Sequence, residues 1–153
     1  MEPQRHQLHA MAAAAQVATV PMPRFLVVDD QANMRRTIRG MLQEMGFTDV
    51  QEAKDGELAL KLLNNGRFDF VISDTTLSDM DGIQLVAQVR HSGKPVCDTP
   101  VLLVGTEPNA RDVVHAVQEG ADGFVVKPFT QATLEEKVAL IKKRFRCWPC
   151  KRD

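Results

Sequence analysis

Net charge is almost missing from this chain. Its 19 lysines and arginines stand against 20 aspartates and glutamates, which leaves −1 at pH 7. Such a balance offers no electrostatic basis for binding nucleic acid or an anionic membrane surface. Cysteine is scarce: 3 residues, 2 of them near the end of the chain, make no disulfide framework and fit a reducing cytoplasm. No stretch approaches the roughly 20 apolar residues of a membrane span, and no repeat of solenoid period recurs. Aromatic residues are few, with one Trp and no Tyr.

What remains is the composition of a soluble globular protein, 44% hydrophobic and 25% charged. A chain of 153 residues can bury one full core and is too short for two ordinary domains. Residues 1–22 differ from the rest: Gln, His and Pro, then alanines at 12–15. Glu2 and the weak hydrophobicity of the alanines argue against a signal peptide. A disordered tail is expected, closed off by Pro21 and Pro23. The fold is expected over 23–146, and 147–153 form a short C-terminal tail.

Five short apolar runs alternate with five helical patterns. The runs are Phe25-Leu26-Val27-Val28, a weaker one at 50–53, Phe70-Val71-Ile72, Pro100-Val101-Leu102-Leu103-Val104 and Phe124-Val125-Val126. In the first helix Met34, Ile38, Met41, Leu42 and Met45 share one face, and Gly46 stops it. The second carries Leu58, Leu62 and Leu63 between Asp55-Gly56 and Asn64-Asn65-Gly66. The third turns Ile83, Val86 and Val89 inward and stops near Ser92-Gly93, before a connector at 94–99. Asn109 caps the fourth, with Val113, Val114 and Val117 as its core face before Gly120. Thr133-Leu134-Glu135-Glu136 reads as a capping box opening the fifth, whose core face is Leu134, Val138, Ile141 and Phe145. His91 and His115 are expected in solvent. This alternation indicates an α/β fold, a doubly wound five-stranded parallel sheet with helices on both faces.

Polar residues gather at the strand ends: Asp29 and Asp30, Asp74, and Lys127 before Pro128. In open parallel sheets, ligands bind beyond the carboxyl ends of the strands. Each residue also has a plain reading. Asp74 can cap its loop, Asp29 or Asp30 can cap the next helix, and Lys127 can be a surface lysine. Together they suggest more. Two ionised carboxylates about 4 Å apart repel by roughly 4 kcal/mol at an effective dielectric near 20, so three converging acids need a cation. An all-oxygen set suits Mg²⁺, and a lysine beside it can neutralise the acids or hold a phosphoryl group.

The segments Phe25-Leu26-Val27-Val28-Asp29-Asp30, Val71-Ile72-Ser73-Asp74, Met80-Asp81-Gly82 and Phe124-Val125-Val126-Lys127-Pro128-Phe129, in this order and spacing, resemble the receiver domains of bacterial two-component response regulators. The likeness runs from about residue 24 to 145 and is strongest to single-domain chemotaxis members of that family. It implies the flavodoxin-like strand order 2-1-3-4-5, which those regulators have, so the order rests on the resemblance as much as on the alternation. It also implies that Asp74 takes a phosphoryl group from a histidine kinase. Asp30 and Asp74 would bind Mg²⁺ directly, Asp29 through water, and the Thr76 carbonyl would be a further ligand. Lys127 would neutralise charge, and backbone N–H groups of Thr75 and Thr106 would hold phosphoryl oxygens.

One departure stands out. The family carries a Thr or Ser whose hydroxyl binds the phosphoryl group where this chain has Gly105, and Thr106 follows it. Phe124 matches the aromatic switch residue without a tyrosine hydroxyl, and Ser78 replaces a usual proline. On this basis Gly105→Thr is expected to enlarge the response to phosphorylation. Output is expected by protein–protein contact through the fourth helix, fifth strand and fifth helix, about 109–143, with a flagellar motor switch as one candidate target. Two other readings compete. One is a receiver-like binding module insensitive to phosphate, because of Gly105. The other is a haloacid-dehalogenase-type phosphatase, which Thr76 opposes because such enzymes need an acid two residues after the nucleophile. The chain is thus read as a signalling protein, not an enzyme. Cys147-Trp148-Pro149-Cys150 resembles a redox pair, yet it follows a final helix instead of opening one, and two thiols are half a zinc site.

Overall fold

The computed structural model describes residues 22–106 and 109–144. Phe145, the cysteine pair at 147 and 150, the C-terminal tail and all but Met22 of the N-terminal tail lie outside the described residues. In chain order the elements are β1 (Arg24–Val28), α1 (Ala32–Glu44), β2 (Asp49–Ala53), α2 (Gly56–Asn65), β3 (Phe70–Asp74) and α3 (Gly82–Arg90). A short 3-10 turn (Val96–Asp98) leads to β4 (Val101–Gly105), α4 (Ala110–Glu119), β5 (Gly123–Val126) and α5 (Gln131–Lys143).

All five strands are parallel in the order 2-1-3-4-5, as expected. Strand residues alternate between two cores because successive side chains leave opposite faces of a sheet. Phe25, Val27, Phe70, Ile72, Leu102 and Val104 pack with Ile38 and Leu42 of α1 and Leu134, Val138 and Ile141 of α5. Leu26, Val28, Val71 and Leu103 pack with Ala59 and Leu63 of α2, Leu85, Val86 and Val89 of α3, and Ala116 of α4. Burial on both faces explains why the strands read as unbroken apolar runs.

Helix starts follow local chemistry with one correction. Asp55 and Asn109 cap α2 and α4 through Leu58 N and Asp112 N. At α3 a capping box is complete: Asp81 Oδ1 accepts from Gln84 N at 2.7 Å, and Gln84 Oε1 accepts from Asp81 N at 3.0 Å. The expected box at Thr133 is not a helix start. Thr130 caps α5, its hydroxyl accepting from Thr133 N at 3.2 Å, so the helix begins one turn earlier.

Two core faces also differ from expectation. On α3 the fully buried apolar side chains are Leu85, Val86 and Val89, and Ile83 is only partly buried. On α4 only Ala116 is buried, while Val114 and Val117 are 54% and 62% exposed. At roughly 100° per residue, Val117 points about 100° and Val114 about 160° away from Ala116. Ala116 is the α4 residue that enters the core, which α3 shares, and the two valines are left outward.

Candidate functional site

Because β1 and β3 are neighbours, with Val28 opposite Ser73, the residues that follow them emerge side by side at the carboxyl edge. One carboxylate oxygen from each of Asp29, Asp30 and Asp74 lies within 4.8 Å of the others. Asp29 is buried, Asp74 partly so, and Asp30 is exposed. Lys127 comes from the far side of the sheet, beyond β5, and its Nζ sits 3.3 Å from both Asp29 Oδ2 and Asp74 Oδ2. Its N–H donates to Gly105 O at 2.8 Å, and its peptide bond to Pro128 is cis. The four residues singled out from the sequence therefore meet at one place.

Burial pushes the Asp29 carboxyl above its ordinary range. The Gln31 N–H, which donates to Oδ1 at 2.9 Å, and Lys127 oppose that shift, and the charge of Asp74 adds to it. With all three acids ionised, one ammonium leaves a local charge of about −2. At the 4.8 Å limit each carboxylate pair repels by roughly 3.5 kcal/mol at an effective dielectric of 20. The donors are all oxygens and partly open to water, a set that fits Mg²⁺.

Several residues that hold this geometry carry no signal in the sequence. Arg35 of α1 donates to the Asp29 carbonyl at 2.7 Å and is itself held by Glu52 at 3.0 Å. Asp79, in the loop after β3, accepts from Gly56 N and Glu57 N at 2.9 and 2.8 Å, which pins that loop to the start of α2. The box of Asp81 and Gln84 was readable from the spacing of the two residues.

The loop also corrects one expectation. The Thr75 N–H is taken by Val104 O at 2.9 Å in continuation of the β3–β4 ladder, so it is not available to a ligand. The amide aimed at the carboxylate is that of Thr76, 3.3 Å from Asp74 Oδ1. Beyond it, exposed Thr106 and half-buried Phe124 line a cavity of about 260 Å³ together with Thr75, Asp81 and Asp112. Gly105 is buried at the end of β4, opposite Val126.

Similarities to known proteins bear on this arrangement. The response regulator receiver domain family matches residues 25–139. Chemotaxis protein CheY-3 of Vibrio cholerae is 40% identical over 121 residues, 79% of this chain and 92% of that protein. The solved structure of chemotaxis protein CheY4 of Vibrio cholerae shares 33% identity with a TM-score of 0.72, over 78% of this chain and 98% of that one. TrrA of Thermotoga maritima, solved in complex with Mg²⁺ and BeF, shares 33% identity with a TM-score of 0.69, over 78% of this chain and 99% of that one. With strand order, acidic edge and sequence in agreement over most of its length, the chain belongs to the response regulator receiver domain family.

Proposed function

We propose that Asp74 is the phosphoryl acceptor of this receiver domain and that a histidine kinase is the donor. The observation that supports it is Lys127 Nζ at 3.3 Å from Asp74 Oδ2, beside two further carboxylates within 4.8 Å. An Asp74 oxygen attacks the phosphorus of a phosphohistidine. A P–O bond forms, the P–N bond breaks, and the histidine, its other ring nitrogen already carrying a proton, leaves with the bonding pair as neutral imidazole. Asp29, Asp30, Asp74 and the Thr76 carbonyl would hold Mg²⁺, which supplies charge neutralisation for the phosphoryl oxygens. Lys127 neutralises further charge, the Thr76 N–H orients the Asp74 carboxylate, and the Thr106 N–H would donate to the phosphoryl group.

Output follows through α4, β5 and α5, in a unit of about 23–146. Val114, Val117, Val126 and Leu140 support this reading: they are large apolar residues left exposed, and all lie on those three elements. The similarity to a chemotaxis protein favours a chemotaxis-type target such as a flagellar motor switch. No described helix is long and apolar enough to cross a membrane.

The test is phosphotransfer from acetyl phosphate in the presence of Mg²⁺, read by mass. The expected product carries one phosphoryl group at Asp74, and Asp74→Asn carries none. Phosphate mapped to any other residue would refute the assignment.

A further inference from the structure

The end of β4 leaves no room for a side chain at Gly105. A Cβ there would overlap Thr75 Oγ1 and lie 2.9 Å from Thr75 Cγ2 and 3.1 Å from Thr75 Cβ. The volume that residue 105 would use is occupied by the threonine that directly follows Asp74. Thr75 is fixed in that place by its backbone. Its N–H donates to Val104 O at 2.9 Å, and its carbonyl accepts from Gly82 N at 2.7 Å. Gly82 keeps that contact close, since a Cβ on it would meet Thr75 Cα at 2.9 Å.

The alternation of β3 sends Val71, Ser73 and Thr75 to one sheet face, and Val71 packs in the same core as Leu103 and Phe124. Thr75, Thr106 and Phe124 then share the walls of the 260 Å³ cavity beside the acidic site. The threonine that follows β3 therefore brings a hydroxyl to the space beside Gly105 and to the cavity that Phe124 lines, although β4 supplies none.

We propose that Thr75 provides the hydroxyl that Gly105 lacks, donating from Oγ1 to a phosphoryl oxygen on Asp74 and relaying its occupancy to Phe124 across the shared cavity. This rests on Asp74 being the acceptor. The hydroxyl has moved between adjacent strands, and the glycine is what gives it space.

The competing role for Thr75 is filler alone. Three variants of the full chain separate the two. Thr75→Val keeps the shape and removes the hydroxyl, Thr75→Ser does the reverse, and Thr75→Ala with Gly105→Ser returns the hydroxyl to β4. The probe is beryllofluoride with Mg²⁺, read as fluorine NMR affinity and as shifts of the Phe124 ring and the α4 amides. We expect wild type, Thr75→Ser and the double variant to bind and to shift Phe124. Thr75→Val should bind about tenfold more weakly, the share of one charge-assisted hydrogen bond. It should also lose the Phe124 and α4 shifts while still binding Mg²⁺ alone. A Thr75→Val protein that responds like wild type, or Thr75→Ser weakened as much as Thr75→Val, would overturn the proposal. Failure of wild type to bind the probe, or equal binding by Asp74→Asn, would instead bring down the acceptor assignment on which it stands.

Discussion

Lys127 Nζ lies 3.3 Å from Asp29 Oδ2, and Asp29 is only 1% exposed. One lysine shared with Asp74 does not offset the burial of this carboxylate, whose pKa is raised chiefly by desolvation. For an acid with a raised folded value, stability is lost as pH rises through that value. The ionised site therefore costs the fold stability at neutral pH.

Asp29→Asn is accordingly expected to melt about 2–4 °C higher than wild type at pH 7 without Mg²⁺, a gain of about 1 kcal/mol. Its advantage should fade towards pH 4, near the ordinary carboxylate value, where wild type protonates too. Added Mg²⁺ should raise the melting temperature of wild type more than that of the variant. Thermal unfolding at the two pH values, with and without metal, checks both parts. A variant less stable than wild type at pH 7 would contradict the desolvation argument.

Gly105→Thr should destabilise the protein by about 1–3 kcal/mol, the usual cost of overpacking, because its side chain meets Thr75. Adding Thr75→Ala should recover most of the loss. The sequence alone favours the single variant as the way to restore a switch hydroxyl, whereas the packing makes the double one the proper test. Urea denaturation of the two variants decides it, and equal stabilities would show that Thr75 moves aside freely.

Asp79 holds the loop after β3 against the start of α2 through two backbone amides. Slight desolvation raises its pKa, but the N–H groups of Gly56 and Glu57 and those of Asp79 and Met80 outweigh it, and the net shift is downward. A depressed value gives stability that is present above the ordinary value near 4 and is lost as pH falls through the folded one. Asp79→Ala should lower the melting temperature by about 2–4 °C at pH 7, as loss of a helix cap does. The gap to wild type should narrow below pH 4. A gap that stays constant down to pH 2 would assign the loss to something other than the carboxylate.

Arg90, at the end of α3, serves the opposite edge of the sheet. It reaches Asp122 at 2.8 Å, the carbonyls of Cys97 and Thr99 at 3.1 and 2.6 Å, and Gly120 O through two nitrogens. Asp122 Oδ2 in turn accepts from Val101 N at 2.8 Å, at the head of β4. Arg90→Met should cost about 2–4 kcal/mol, since Asp122 is left partly buried without its cation. Because the pair is remote from Asp74, folded protein should still accept a phosphoryl group. Urea denaturation and phosphoryl incorporation, measured on the same variant, separate the two effects.

Much of the site was legible because it lies at strand ends, and strand ends are marked locally. Asp29, Asp30, Asp74 and Lys127 each terminate an apolar run, so finding the runs found the acids and the lysine. Where the reading failed, a neighbouring residue or strand decided the outcome. Val114 and Val117 look like a core face until Ala116 is seen to make the approach. Thr133 fits a capping box, yet Thr130 reaches the free amide first. The Thr75 amide looks free until the neighbouring strand claims it.

The sequence by itself determined the alternation of strands and helices and the carboxylate edge, because a period of 2 or 3.6 and a polar residue at a strand end are properties of a few consecutive residues. Tertiary structure alone decided how deeply Asp29 is buried, that Asp79 grips α2, and that Thr75 fills the space at Gly105. Those outcomes depend on the distance between elements far apart in the chain. Close packing fixes that distance to a few tenths of an ångström, and no local pattern encodes it.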